Sequence, residues 1–274
     1  MAEFNFEESR KTWGRYPKAY LGPKNIFEQI AMIGDIFGLN TAQAAKFASN
    51  LPIMPAGAEG CFAIAKISAL ARKHFPDLSD PRDQYCAAVR LGLKELAARC
   101  DFVNTLRGEI LVEELHREPP SLFSITSEKL RQTDLSLQAM EILEKEQPGD
   151  ILIIPGQFGL RYQDCSVNNA LWAMFDKGNE FSPGVFAGIC MNLCHLDRYD
   201  FNDDLVAELD PVYAGDEVSR NADGIFSEVP SFFVFQGAPG QKNRLVLGAD
   251  SPASHALVFG AVSFFLPLGL KTAR

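Results

Sequence analysis

A chain of 274 residues with 47% hydrophobic and 22% charged residues has the composition of a folded globular protein, with room for one large domain or two ordinary ones. Its net charge of −9 excludes a general nucleic-acid binder, because such a protein needs a basic face that displaces counterions. Residues 1–147 carry a charge of −2 and residues 148–274 a charge of −7, so a partner attracted by long-range charge is expected to be cationic.

The first eight residues are acidic and contain no apolar stretch, which argues against a secretory signal peptide. We therefore expect a cytoplasmic protein whose six cysteines are free thiols. The segment from Ser251 to Leu270 has no charged side chain and is long enough to cross a bilayer. Its prolines, serines and His255 favour a pair of buried strand segments instead, so we do not expect membrane attachment.

In the first half of the chain, apolar residues recur at helical spacing between short breaks rich in glycine and proline. Ile26, Ile30 and Ile33 share one face of the first such segment, and Gly38 ends it. Asp80 followed by a proline is typical of a helix N-terminus. The pattern predicts helices over residues 24–37, 41–49, 58–75, 80–100, 103–118 and 128–145.

The second half begins with a predicted strand at residues 151–154, where four apolar residues stand between two proline–glycine turns. After it, the sequence predicts a helix over 167–177 and strands over 185–193, 231–236, 244–247 and 256–266. The predicted fold is therefore α+β. It has an α-helical domain at residues 1–147 and a β-rich, mostly antiparallel domain with acidic loops at residues 148–274.

The loop after the first strand of the second half is a candidate binding site, since loops at strand ends often carry function. Gln157, Arg161 and Tyr162 offer an amide, a cation and a phenol there. The phenylalanine-rich strand at 231–236 is expected to leave an apolar patch beside the acidic loops. These features favour a binding module whose acidic half engages a protein or small-molecule partner.

An alternative hypothesis is a calcium-stabilised module. Residues 197–228 hold ten acidic residues and two arginines, and Asn221, Asp223 and the glycine that follows match the middle of an EF-hand loop. The first and twelfth positions of that loop lack carboxylates, which Glu228 and either Asp216 or Glu217 would have to supply. The same residues form a common turn sequence, so a solvated acidic turn is the other interpretation.

A further alternative is a thiol-dependent hydrolase that uses Cys61 and His255. Cys61 is predicted at a helix N-terminus, which favours the thiolate, and His255 is predicted on a late strand. Papain-type thiol hydrolases use this chain order, but the local sequences match it only loosely. Pro55 stands in the region where a glutamine would form the oxyanion hole, and no asparagine follows His255 to orient it. A buried cysteine and a core histidine are the alternative.

Cys190, Cys194 and His195 are weak candidates for a zinc site, which Cys165 would have to complete. If the segment is a strand, both cysteines face one side of it, which fits a core strand better. The sequence contains no Walker loop, no Gly-x-Ser-x-Gly and no His-Glu-x-x-His motif. Nucleotide-dependent enzymes and the serine or zinc hydrolases are therefore not expected, and binding is the leading hypothesis.

Overall fold

The structure is a computed structural model that describes residues 20–105, 125–163, 165–199, 209–219, 224–235, 243–253 and 259–267. In these ranges, helices lie mostly before residue 147 and strands mostly after it. Most strand pairs are antiparallel. The predicted α+β fold is confirmed.

The helices of the described ranges are α1 (Ile26–Phe37), α2 (Ala42–Ala48), α3 (Ile67–His74), α4 (Pro81–Ala97), α5 (Asp134–Glu146), α6 (Val167–Lys177) and α7 (Val185–Cys194). The strands are β1 (Gly60–Ala65), β2 (Phe102–Asn104), β3 (Leu130–Gln132), β4 (Ile151–Gln157), β5 (Glu180–Phe181), β6 (Asp210–Val212), β7 (Asp216–Val218), β8 (Val229–Phe235), β9 (Arg244–Asp250), β10 (Phe259–Ala261) and β11 (Ser263–Phe265).

Several helices begin and end at the residues that the sequence predicts. The side chains of Asp80 and Ser166 accept hydrogen bonds from first-turn backbone N–H groups of α4 and α6. Gly38 ends α1 and Gly178 ends α6, both in the left-handed conformation that only glycine adopts without steric cost. Local capping chemistry therefore sets these boundaries.

The strands form three sheets, with the orders β1-β4-β11-β5, β10-β6-β8-β9-β2 and β3-β7. The pairs β10–β6 and β2–β9 are parallel. Each sheet joins strands from both sides of residue 147, because β1, β2 and β3 pair with β4, β9 and β7. The boundary between residues 147 and 148 falls in the connection from α5 to β4, and the division into two domains there stays a prediction.

Helix α7 lies within the main hydrophobic core, and all ten of its residues are buried. It packs on β1 and on α4, where the missing side chain of Gly92 leaves room for Ile189. The strand predicted at 185–193 is therefore wrong. A continuous apolar run suits a fully buried helix as well as a buried strand, and periodicity alone does not separate the two.

Three predicted helices are replaced in part by strands. The segment 58–75 forms β1 and then α3, and the segment 128–145 forms β3 before α5. The helix predicted at 103–118 is wrong at its start, where β2 ends at Asn104. The rest of that prediction, from residue 106, lies outside the described residues.

The predicted hairpin near the C-terminus is confirmed, since β8 and β9 pair along their whole lengths. Its turn, at residues 236–242, lies outside the described residues. The apolar segment 251–270 contributes the short strands β10 and β11. Among the helices in the described ranges, none combines the length and the apolar character needed to cross a membrane.

Candidate functional site

A cleft opens where α3, α4, α5 and α7 meet. One part of it, which we call the apolar cavity, has a volume of about 180 Å³. Most of its walls are hydrocarbon, with a few polar groups among them. The apolar cavity is lined by Ile64, Ala65, Ile67, Ser68, Pro81, Gln84, Tyr85, Gln132, Leu137, Met140, Glu141, Glu144, Gly184, Phe186 and Ala187.

A second, more polar cavity of about 410 Å³ adjoins the first, and we call it the polar cavity. Four residues line both cavities, so the two form one continuous cleft. The polar cavity is lined by Pro81, Arg82, Tyr85, Leu130, Arg131, Gln132, Thr133, Asp134, Leu137 and Glu217. Charges of both signs meet there, and Arg131 is paired with Glu217 at 2.8 Å.

One face of α5 forms a wall of the apolar cavity and contributes the charged side chains that line this cavity. Leu137, Met140, Glu141 and Glu144 follow the i, i+3, i+4, i+7 spacing that places side chains in one row along a helix. The Glu144 carboxylate accepts a hydrogen bond from the Ser68 hydroxyl at 2.9 Å. Among the described residues that line this cavity there is no lysine, arginine or histidine, so its charged groups are two carboxylates.

The ammonium group of Lys66 lies behind this wall and is close enough to the Glu144 carboxylate to interact with it electrostatically. Lys66 lies between β1 and α3, and its Nζ donates to the backbone carbonyls of Glu144 at 3.1 Å and of Gln147 at 2.5 Å. Burial lowers the pKa of Lys66, against the raising effect of nearby carboxylates. The Lys66 ammonium is therefore occupied by carbonyls at the end of α5, and it does not line the apolar cavity.

The start of α7 closes one side of the cavity and is capped by two residues from other elements. Oδ2 of Asp216 accepts hydrogen bonds from the Tyr85 hydroxyl at 2.6 Å and from the Val185 N–H at 2.8 Å. The Tyr85 oxygen in turn accepts from the Phe186 N–H at 3.3 Å. Burial raises the pKa of Asp216 to about 7, although both hydrogen bonds act to lower it. A buried helix start is thus satisfied without water.

Strand β3 presents an edge to the polar cavity at Gln132 that no other described strand pairs with, whereas the outward groups of Leu130 bond to Thr126 and Cys86. In the antiparallel pair β3–β7, the N–H of Ser219 bonds to Lys129 and the N–H of Thr133 bonds to Gly215. Hydrogen-bonded and non-hydrogen-bonded pairs alternate along such a ladder. Gln132, opposite Asp216, is therefore a non-hydrogen-bonded position whose backbone N–H and C=O point away from β7.

The structure brings together the three residues of the predicted loop site, Gln157, Arg161 and Tyr162. Their side chains meet near Glu180, whose carboxylate lies 3.3 Å from the Nε of Arg161 and is fully buried. Lys177 donates to the Tyr162 hydroxyl at 2.7 Å and to Glu180 at 3.0 Å. The Gln157 amide donates to the Ala261 carbonyl and the Ser263 hydroxyl. Each of the three side chains therefore has partners among neighbouring residues, and ligand binding by the loop stays a prediction.

Cys61 lies in β1, so the helix N-terminus predicted for it is wrong. Gly60, Ile64 and Ile67 share a helical spacing, but the chain leaves the strand only at Lys66. Burial raises the pKa of the Cys61 thiol to about 11, which disfavours the nucleophilic thiolate. His255 lies outside the described residues, so the pairing of the two side chains stays a prediction.

Of the predicted calcium ligands, Asn221 and Asp223 lie outside the described residues. Asp216 is buried and serves the α7 cap, and Glu228 forms a backbone bridge with Val218. Within the described ranges, no three His, Cys, Asp or Glu side chains come close enough to hold a metal ion. Calcium binding by the acidic loop stays a prediction.

Cys190 and Cys194, two of the cysteines considered for zinc, lie one turn apart in α7 and are buried free thiols, whereas Cys165 precedes α6 and is half-buried. His195 follows them. Its Nδ1 lies 2.8 Å from the Met191 carbonyl, and its Nε2 accepts from the Lys24 N–H at 3.0 Å. Both ring nitrogens therefore have protein partners, and burial lowers the pKa of His195 to about 4. His195 is a neutral core residue in this arrangement.

The phenylalanine-rich strand is β8. Phe232 is fully buried, and Phe233 and Phe235 are half-buried against Val103 and Val246. These two rings face a small satellite cluster, which covers part of the apolar patch that the sequence predicts. Whether the exposed remainder engages a partner stays a prediction.

Sequence reasoning missed the residues of the cleft. The row of Leu137, Met140, Glu141 and Glu144 was visible as a helical face that mixes apolar and acidic residues, and it is the one local signal. Ser68, by contrast, joins them only through tertiary packing. Compared with known proteins, the chain matches no family model, no curated protein and no solved structure.

Proposed function

We propose that this chain is a binding protein whose apolar cavity takes a small ligand with an apolar body and a protonated amine. The observation that carries the proposal is the charge of the cavity wall. Glu141 and Glu144 line it, and no cationic side chain does among the described lining residues. A ligand with an ammonium group would complement these carboxylates.

Electrostatics favour a cation over an anion or a neutral ligand at this wall. Glu144 is half-buried beside hydrocarbon from Met140 and Phe186, where the effective dielectric constant is lower than in water, whereas Glu141 is exposed and attracts a cation more weakly. An anionic ligand would meet like charge, and a neutral isostere would gain no charge-assisted hydrogen bond. The acidic net charge of the protein acts in the same direction over longer distances.

The size of the apolar cavity sets the size of the group that enters it. Its volume of about 180 Å³ is close to that of an apolar protein cavity of about 150 Å³ that accommodates benzene. A branched aliphatic or a single aromatic ring therefore fits. The polar cavity beside it leaves room for a longer ligand to continue.

The cleft lies mainly on residues before 147, whereas the sequence pointed to loops of the acidic half. Its contributions from after residue 147 are the start of α7 and Glu217. The binding function and the cationic partner are those that the sequence suggests. The proposed site is the cleft instead of the loops of the acidic half. Gln157, Arg161 and Tyr162 are engaged by Ala261, Glu180 and Lys177 respectively, so they offer fewer free groups to a ligand.

Benzylamine and its neutral analogue benzyl alcohol test the proposal in titrations followed by calorimetry or by NMR shifts. We expect benzylamine to bind more tightly. The double variant Glu141→Gln/Glu144→Gln is expected to weaken benzylamine binding about tenfold or more and to leave benzyl alcohol unchanged, because a charged hydrogen bond is lost.

Glu146→Gln is the matched control, since Glu146 is an exposed residue of the same helix that does not line the cavity. It removes one negative charge but no contact, so benzylamine affinity should stay within about twofold of the wild type. Equal affinities for the amine and the alcohol, or equal losses in both variants, would rule the proposal out.

A further inference from the structure

Gln132 stands at the junction of the two cavities and lines both. Its backbone N–H and C=O point away from β7, toward the side on which the Leu130 carbonyl contacts Cys86 of α4. These two groups are not needed for the β3–β7 ladder. The cleft thus combines an acidic wall, an apolar cavity and a half-buried strand edge with a donor and an acceptor to offer.

We infer that the ligand is the free amino terminus of an extended peptide, an assignment that rests on the proposed function. The peptide ammonium lies against Glu141 and Glu144, and the first side chain, a branched apolar one, fills the apolar cavity. The backbone of the first two residues pairs with Gln132, and the chain continues into the polar cavity.

The three features of the cleft correspond to three groups that occur together at a peptide amino terminus. Simple amines supply the charge and the apolar body but have no backbone to pair with β3. An extended peptide that adds to a strand edge gains main-chain hydrogen bonds, and pockets beside the edge select its side chains. Among the residues that the structure describes, β3 pairs with β7 alone, and its other edge is open at Gln132.

The dimensions agree with this arrangement. Leu137, which lines both cavities together with Gln132, lies four residues of α5 from Glu141, a distance of about 6 Å at the helical rise per residue. An extended chain covers about 6 Å with two residues. The second residue of the peptide therefore lies beside Gln132 when the ammonium group reaches Glu141.

The polar cavity can accept the later residues of the peptide, because side chains of both charges line it. Arg82, Arg131, Asp134 and Glu217 line it, and Arg131 and Glu217 already neutralise each other. Selectivity is therefore expected at the first residue and its ammonium. Later side chains face a mixed, solvated surface and contribute little to it.

Calorimetric titration with Leu-Ala-Ala-amide, its N-acetyl form and leucinamide tests the inference. We expect the tripeptide amide to bind about fivefold more tightly than leucinamide, because leucinamide has the first carbonyl and an amide N–H but lacks the second carbonyl, which accepts from the Gln132 N–H. Acetylation removes the ammonium and should weaken binding about tenfold or more.

Two substitutions at one position separate the backbone from the side chain. Gln132→Pro removes the backbone N–H that the β3–β7 ladder does not use, and an edge strand tolerates proline there. Gln132→Ala removes the side chain and keeps the N–H. We expect Gln132→Pro to abolish the advantage of the tripeptide over leucinamide and Gln132→Ala to keep it. Thermal unfolding of both variants verifies that they remain folded.

If Gln132→Pro unfolds the protein, a depsipeptide with an ester in place of the second peptide N–H makes the same test in the wild type. It should lose about fivefold in affinity relative to Leu-Ala-Ala-amide. An advantage of the tripeptide that survives both the proline and the ester would overturn the inference.

The experiment also distinguishes the inference from the proposed function. If leucinamide binds through Glu141 and Glu144 and the tripeptide binds no better, the amine site stands and the peptide assignment falls. If neither binds, and benzylamine does not bind either, both fall. Binding of the acetylated peptide as tightly as the free one would contradict the assignment of the ammonium.

Discussion

The side chains of Gln29 and Gln147 hydrogen-bond to the two outer edges of the β1–β4 pair, at residues that are paired across the strands. The Gln29 amide donates to the Cys61 carbonyl at 2.9 Å and accepts from the Ala63 N–H at 3.2 Å. The Gln147 amide donates to the carbonyl of Ile153 at 2.9 Å and accepts from its N–H at 2.8 Å. Ala63 and Ile153 are paired across the two strands.

Each glutamine thus replaces a missing neighbouring strand. The two side chains are almost fully buried, and a buried backbone group without a partner costs free energy. An amide carries one donor side and one acceptor side, as the strand edge does, so it satisfies both groups at once. The walls of the cleft are held by the same elements, because β1 leads into α3 and α5 leads to Gln147.

The first prediction concerns this relationship. Gln147→Leu keeps much of the side-chain volume and leaves the N–H and C=O of Ile153 without their partner. We expect the free energy of unfolding to fall by about 3 kcal/mol in urea denaturation, because two buried polar groups lose their hydrogen bonds. The matched control is Gln138→Leu, at an exposed position of the same helix, which should change stability by less than about 0.5 kcal/mol. Similar losses in both variants would show that Gln147 does not act as a strand substitute.

Part of the fold was predictable because local chemistry determines it. The cap at Asp80, the stop at Gly38 and the turns around β4 follow from residue preferences that act over a few positions. Strand β1 was not predictable in this way. Its residues are buried on both faces, which removes the alternation that identifies a strand. The partner that completes its edge, Gln29, lies more than thirty residues away.

The site was less predictable than the fold. Glu141 and Glu144 line a cavity only because Ser68 of α3 and the start of α7 pack beside them. No local sequence pattern predicts those contacts. Asp216 illustrates the same limit. The sequence suggested a metal ligand because it is acidic and near a turn, but its environment is set by Tyr85, which lies 131 residues earlier.

The second prediction concerns the pH dependence of stability from His195. Its pKa is about 4 in the folded protein and about 6.5 in the unfolded chain, since burial disfavours the charged ring. Between these values the unfolded chain binds more protons, so the free energy of unfolding falls as the pH drops from about 6.5 to about 4. The loss from this residue is about 3 kcal/mol.

Urea denaturation at pH 7.5, 6.5, 5.5 and 4.5 measures this effect. His195→Gln should flatten the acid side of the profile relative to the wild type, whatever its effect on stability at pH 7.5. His74→Gln is the control, because His74 lies on the half-exposed end of α3 and contacts the Phe37 carbonyl. A profile that flattens equally in both variants would contradict the assignment to His195.

The third prediction is that Asp216 makes the free energy of unfolding fall as the pH rises, opposite in direction to the effect of His195. Its pKa is about 7 in the folded protein, mainly because burial disfavours the carboxylate, and about 4 in the unfolded chain. The folded state binds more protons in this interval, so the contribution of Asp216 is fully present below pH 4 and is lost as the pH rises through 7. The change is about 4 kcal/mol.

Asp216→Asn removes this titration while keeping a neutral group of the same shape. We expect the variant to gain stability relative to the wild type as the pH rises from 4 to 8. Glu217→Gln, which changes the neighbouring half-buried carboxyl paired with Arg131, is the comparison variant. If the slope disappears in Glu217→Gln and persists in Asp216→Asn, the prediction for Asp216 is wrong.

The fourth prediction concerns Cys61 and the hydrolase hypothesis. With a pKa of about 11 the thiol is ionised to about one part in ten thousand at pH 7, so alkylation of the native protein by iodoacetamide should be slow. The rate at Cys61, followed by mass spectrometry, should rise about tenfold for each pH unit up to pH 10. Protein unfolded in urea is the control, in which alkylation should be fast. Rapid alkylation of native Cys61 near pH 6 would instead show a stabilised thiolate, and the pairing of Cys61 with His255 would then become the leading hypothesis.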